Sequence, residues 1–284
     1  FTRIPEALSI GLEILRTLGI GINTADPEEQ RKELQDTVKK GLYRKEISSL
    51  MELPFLKDPK MKTAMKILRD LMLPAHYSNQ AVTELLILTM IKLSLESGNA
   101  PESVPGYLHY GRILSDQMPH INAGFQFGRL AMDLAEKIGA KSQICESCLI
   151  FANFIAPFHL SLKETEAINR RGITAGIESG NLKHTGDLVS HVACHDYHQG
   201  KGLDTVLRSA LSALDYIEKT GDKLTHLITE ALMTTVLFLK DNSEDGPGVY
   251  AKKTSDLTRQ WPEGTVTTPL NYMQAYEGEA RYIL

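Results

Sequence analysis

The chain has 284 residues, 42% hydrophobic, 23% charged and 7% aromatic, with 31 Lys+Arg against 35 Asp+Glu for a formal net charge of −4. No run approaches the roughly 18 apolar residues of a membrane span, and a net negative chain without a basic cluster argues against nucleic acid as the main partner. Three Cys do not make a disulfide framework and point to a reducing, cytoplasmic compartment.

The chain opens on Phe1 with no signal-peptide pattern and reads as part of a longer protein. Apolar residues recur at three and four almost throughout, the helical period, and no stretch alternates long enough for a sheet. "ALSIGLEILRTLG" (7–19) is read as the second helix of a truncated unit, and "EEQRKELQDTVKKGL" (28–42) as a polar, exposed helix. Asp58-Pro59 opens the first full unit. Helical periods then run over 84–98, 124–139, 166–180 and 206–221. Pro119 and Pro157 mark turns before second helices, and Ser161-Leu162-Lys163-Glu164 reads as a capping box. "DNSEDGPG" (241–248) is a loop, Gly264 closes a fifth unit with a small insertion, and "LNYMQAYEGEARYIL" (270–284) begins a further helix.

The four helical stretches end alike, on Gly98, Gly139, Gly180 and Gly221, each 41 residues after the last. Glycine just past a helix end suits the left-handed C-cap, because it has no Cβ to clash. Four in register imply a repeated helix–turn–helix unit. Overlaying the repeats gives a mostly small column (Met90, Ala131, Gly172, Ala213), an apolar one (Tyr110, Phe151, Val192, Met233) and a charged one (Glu96, Lys137, Glu178, Lys219). The expected fold is therefore an all-α solenoid of stacked antiparallel helical hairpins, tetratricopeptide-like but with a longer repeat than the usual 34 or so residues. It is expected as N-terminal helices over 1–57, core repeats over 58–240, and a loop with a partial repeat over 241–284, rather than as two globules.

Chemistry is sparse. No phosphate-binding glycine loop, kinase signature, nucleophile elbow or His-Glu-x-x-His is present. Cys145 and Cys148 form a Cys-x-x-Cys, but no second pair lies nearby and both fall in core columns, so they read as packing. His191, His195 and His198 lie at i, i+4 and i+7 on one helix face beside Cys194 and Tyr197. That spacing could share a zinc; packed core or groove histidines are the preferred reading, with no metal or cofactor expected. The column Arg112, Asn153, Cys194 and Thr235 is polar. It reads as a solvated stripe first and as the lining of a peptide groove second.

The stretches 11–20, 47–79, 94–115 and 121–141, with "ESGN" and "FGRLAMDL" the most telling pieces, resemble the helical repeat region of large hybrid signalling proteins. Those proteins join a serine/threonine kinase-like domain, an AAA-type ATPase module, this region and often a sensor histidine kinase. The resemblance spans roughly residues 5–240 and carries no catalytic residue. It implies a non-catalytic scaffold or sensor arm that regulates an adjacent ATPase or kinase domain. From the residues themselves, the expected binding face for a protein segment or such a domain is the concave one, with Arg112, Asn153, His191, Cys194, His195, Tyr197 and His198 as its candidates. The alternative is a small-molecule sensor with a pocket between repeats near His191 and His195. A metal-dependent enzyme is the least favoured reading.

Overall fold

The structure, a computed structural model, describes residues 4–240, 274–276 and 278–279. The expected loop at 241–248 and Gly264 lie outside the described residues. The helices are α1 (Ile4–Thr17), α2 (Pro27–Leu42), α3 (Pro59–Ser78), α4 (Gln80–Ser97), α5 (Ser103–Ser115), α6 (Ile121–Ile138), α7 (Lys141–Ile150), α8 (Leu162–Ser179), α9 (Leu182–His198), α10 (Leu203–Glu218) and α11 (Lys223–Lys240). Local chemistry sets their ends. The Asp58 side chain accepts from the Lys60 N–H, with Pro59 in the first turn of α3. Ser161 and Glu164 form both arms of the capping box on α8. Pro119 and Pro157 sit in short 3-10 turns.

The fold is an all-α helical-repeat solenoid, and its helices group into two compact units, Phe1–His159 and Leu160–Leu284, a boundary inside the expected 58–240 stretch. In the first unit α3 packs on α4 and α5 on α6; contacts also run from α3 to α5 and from α5 to α7. In the second, α8, α9, α10 and α11 pack in succession, and α9 also touches α11. Contacts that skip one helix thus join like to like, first helices to first helices and α2 to the second helix α4, which makes each unit a stack of hairpins. Among the described residues no helix is long and apolar enough to cross a membrane.

The N-terminal assignment needs correction. α1 packs on the first helix α3, and α2 on the second helix α4. The 7–19 stretch therefore takes a first-helix place and the 28–42 stretch a second-helix place. α2 is not simply a polar exposed helix either: Leu34 and Val38, one turn apart, are buried.

The repeat columns hold. Met90, Ala131, Gly172 and Ala213 are all buried, and Glu96, Lys137, Glu178 and Lys219 are all exposed. α5 and α6 approach backbone to backbone: a Cβ added at Gly124 would lie 2.6 Å from the Gly111 carbonyl oxygen and 2.3 Å from Ser115 Oγ. That approach lets Phe127 stack on Tyr107 and meet Tyr110 edge-on. Fully burying side chains of this kind contributes roughly 1.5–3 kcal/mol each.

Two local features depart from the repeat. Gly139 and Gly180 are left-handed C-caps. Gly221 also has positive φ, 70°, but lies two residues past Lys219, the C-cap of α10. Gly98 is a C-cap with φ 101° and ψ 172°. There residues 54–56 run beside the turn in a parallel bridge, with the Asn99 N–H donating to the Pro54 carbonyl and the Leu56 N–H to the Asn99 carbonyl, both at 2.8 Å. The second departure ends α7, which passes into a π turn over Phe151–Ile155. Such single wide turns are insertions into a helix that periodicity does not register.

Candidate functional site

The seven candidate residues fall into two groups. In the first unit Arg112 of α5 places its guanidinium 5.3 Å from the ring centre of Phe154, in the π turn, where Asn153 donates to the Leu149 carbonyl at 2.7 Å. Both Arg112 and Asn153 are half-buried. His109 Nε2 lies 3.6 Å from Glu146 Oε1 on α7. Burial, then the charges of Arg112 and His109, hold the His76 imidazole below its usual range. This face of α3, α5 and α7 is polar and aromatic.

In the second unit the candidates share α9. Cys194 is buried, and burial pushes its thiol up to about 11 even though the Tyr276 hydroxyl donates to its sulfur at 3.0 Å. It stays neutral near pH 7 and is neither nucleophile nor ready ligand. Cys145 and Cys148 are likewise buried, with the Cys148 thiol pushed up to about 12, first by burial and then by Cys145. Thr235 is buried and donates to the Ala231 carbonyl at 3.0 Å. The expected polar stripe is therefore not one solvated surface: Arg112 and Asn153 keep some exposure, whereas Cys194 and Thr235 belong to the second unit's core.

The histidines separate by environment. His191 is half-buried and pushed down to about 4, first by burial and then by His195, against the pull of Asp187. His195 is 7% exposed, and its Nδ1 has no hydrogen-bond partner among the described residues. Burial, followed by the charge of His198, keeps it below its usual range. His198 is exposed, 3.7 Å from Glu279, with its ring nearly parallel to Tyr276 at 6.1 Å between centres. Tyr197 meets Tyr276 edge-on at 5.9 Å. Among the described residues no group of three or more His, Cys, Asp or Glu is placed to hold a metal ion.

Sequence reasoning missed the two features that organise this end of α9. The first is Tyr276 itself, 2% exposed and packed with Cys194, Leu227, Ala231 and Val236. The one signal was the Tyr276/Glu279 spacing, which puts both on one helix face. The second is an ionic network. Lys201 donates to Asp196 at 2.6 Å and to Glu166 at 3.0 Å; Ser209 bonds Asp196 at 2.5 Å, Gln199 bonds Glu166 at 2.9 Å, and Arg170 bonds Glu166 at 2.7 Å. It ties α8 and α10 to the turn after α9.

Glu166 has a measurable consequence. Burial by itself would raise its carboxyl, but the bonds from Gln199, Lys201 and Arg170 outweigh it and hold the group at about 2. A carboxyl lower in the folded than in the unfolded chain stabilises above its unfolded value and loses that stabilisation on acidification. Unfolding of the second unit should therefore become easier as pH falls from 4.5, the ordinary value, toward about 2. Urea midpoints across that window check it, and Glu166→Gln should flatten the dependence.

Compared with family models, with curated proteins and with solved structures, the chain matches none of them.

Proposed function

We propose that this chain is a non-catalytic helical-repeat scaffold or sensor module of a multidomain cytoplasmic signalling protein, which binds a protein segment or an adjacent ATPase-type or kinase-like domain on its first-helix faces. One observation carries the reading. The face of α9 and α11 seats a residue from far along the chain: Tyr276, 82 residues from Cys194, is buried to 2% exposure with its hydroxyl bonded and its ring beside those of Tyr197 and His198. A rigid aromatic anchor in an apolar notch with a polar rim is the usual chemistry of helix-in-groove recognition. The protonated thiols of Cys148 and Cys194 agree with a non-catalytic role.

The test titrates the chain, by calorimetry, against an AAA-type ATPase module and a kinase-like domain from a hybrid signalling protein of the kind it resembles. Binding is expected, and Tyr276→Ala, which empties the notch, should tighten it. No detectable binding of either domain at high micromolar concentration, to either chain, overturns the reading.

The buried His195 Nδ1 without a described partner favours a second reading, a small-molecule sensor near His191 and His195. It requires a metabolite that raises the melting temperature of the chain but not of His195→Phe.

A further inference from the structure

The first unit contains a cleft of about 400 Å³ where residues 55–56, α3 and the turn before α5 meet. It is lined by Phe55, Leu56, Lys62, Lys66, Pro101 and Glu102, among others. None of these residues takes part in the docking reading above.

Its charges are the unusual feature. Glu102 is only 8% exposed, yet among the described residues no hydrogen bond or ion pair reaches its carboxylate. Its oxygens are not among the buried, unsatisfied atoms, so the carboxylate meets solvent at the cleft and is open to a ligand. Lys62 and Lys66, one turn apart on α3, are exposed and also make no ion pair among the described residues. The same cleft thus presents one unmatched anion and two unmatched cations from different elements. Between them lies apolar surface, including Phe55 at 54% exposure.

The frame is rigid. Asn99 holds it through its backbone bonds to Pro54 and Leu56, through Nδ2 to the Leu50 carbonyl at 2.8 Å, and through Oδ1, which accepts from the Tyr107 hydroxyl at 2.9 Å. Both the amide and the ring are buried. A pre-formed site loses little free energy on ordering when it binds.

We propose that this cleft binds a small zwitterion with an apolar body, of the chemistry of a free aliphatic or aromatic amino acid. The ammonium group meets Glu102, the carboxylate meets Lys62 and Lys66, and the side chain covers Phe55 and Leu56. Charge-assisted bonds at both ends supply orientation as well as affinity. The volume sits at the small end of the roughly 300–1,000 Å³ range of ligand pockets, which suits a single amino acid better than a folded segment.

The test uses the whole chain with L-leucine and L-phenylalanine, read by calorimetry and by hydrogen exchange at residues 54–66 and 98–104. At least one should bind and slow exchange there. N-acetyl-leucine, which lacks the ammonium, and leucinamide, which lacks the carboxylate, should each bind roughly tenfold or more weakly, as expected for losing a charged hydrogen bond. Lys62→Gln/Lys66→Gln changes only exposed helix positions, so it keeps the fold and should lose affinity for the free amino acid by a similar factor. Glu102→Gln should do the same where it folds. The proposal is overturned by the absence of binding and protection with both amino acids at millimolar concentration. It is equally overturned by blocked analogues that bind as well as leucine, or by undiminished affinity in the lysine double variant.

Discussion

Gly98→Ala is expected to cost about 4 kcal/mol of stability, while Gly139→Ala in the same unit costs about 1 kcal/mol. Both glycines occupy the same place in the repeat, and both have positive φ. Their surroundings differ. A Cβ at Gly139 meets nothing within 4 Å, so alanine there bears only the left-handed backbone penalty. A Cβ at Gly98 would lie 2.1 Å from the Pro54 carbonyl oxygen and 3.3 Å from the Leu56 nitrogen, both backbone atoms that cannot swing aside. Residues 54–56 would have to withdraw. The two bonds to Asn99 would break, and the buried Asn99 amide would lose its alignment with Leu50 and Tyr107. Each buried bond lost adds about 1 kcal/mol. Denaturant midpoints of the two variants decide it, and equal losses would show that the 54–56 segment contributes nothing to the fold.

Lys201→Met should destabilise the second unit by about 3 kcal/mol, because it leaves two carboxylates facing each other without their shared cation. Asp196 is 3% exposed at its side chain and Glu166 12%, so neither recovers much solvent. Arg170→Met removes a partner of Glu166 that is itself 59% exposed, and should cost less than about 1 kcal/mol. Adding Asp196→Asn and Glu166→Gln to Lys201→Met should restore most of the loss, since the penalty is that of unpaired charge. Urea unfolding followed by hydrogen exchange in α9 and α10 measures all three. A Lys201→Met loss no larger than that of Arg170→Met would mean that water screens the site.

Helix after helix was legible because its signals are local. The Ser161/Glu164 box, the Asp58-Pro59 start and the apolar period of 3.6 each act within one or two turns. The repeat columns were legible because small residues such as Ala131 and Gly172 recur where neighbouring helices must approach. The candidate site was legible only in part. His198 and Tyr197 do meet at one place, but around Tyr276, and no local pattern ties residue 276 to α9. Cys194 looked like a member of a polar column because its sulfur is polar on paper; burial makes it core. The places of α1 and α2 are not legible in the sequence, because the polarity of a helix does not say what Leu34 and Val38 pack against.

The helical class, the 41-residue unit, its turns and the caps at Gly139 and Gly180 are written in the residues themselves, because they follow from interactions within about ten residues or from strict repetition. The division into two units, the backbone lock at Gly98, the shared cation of Glu166 and Asp196, and the meeting of Glu102 with Lys62 and Lys66 in one cleft arise only in the packed chain. Those depend on which distant groups burial brings together and on whether each charge finds a partner once water has been removed.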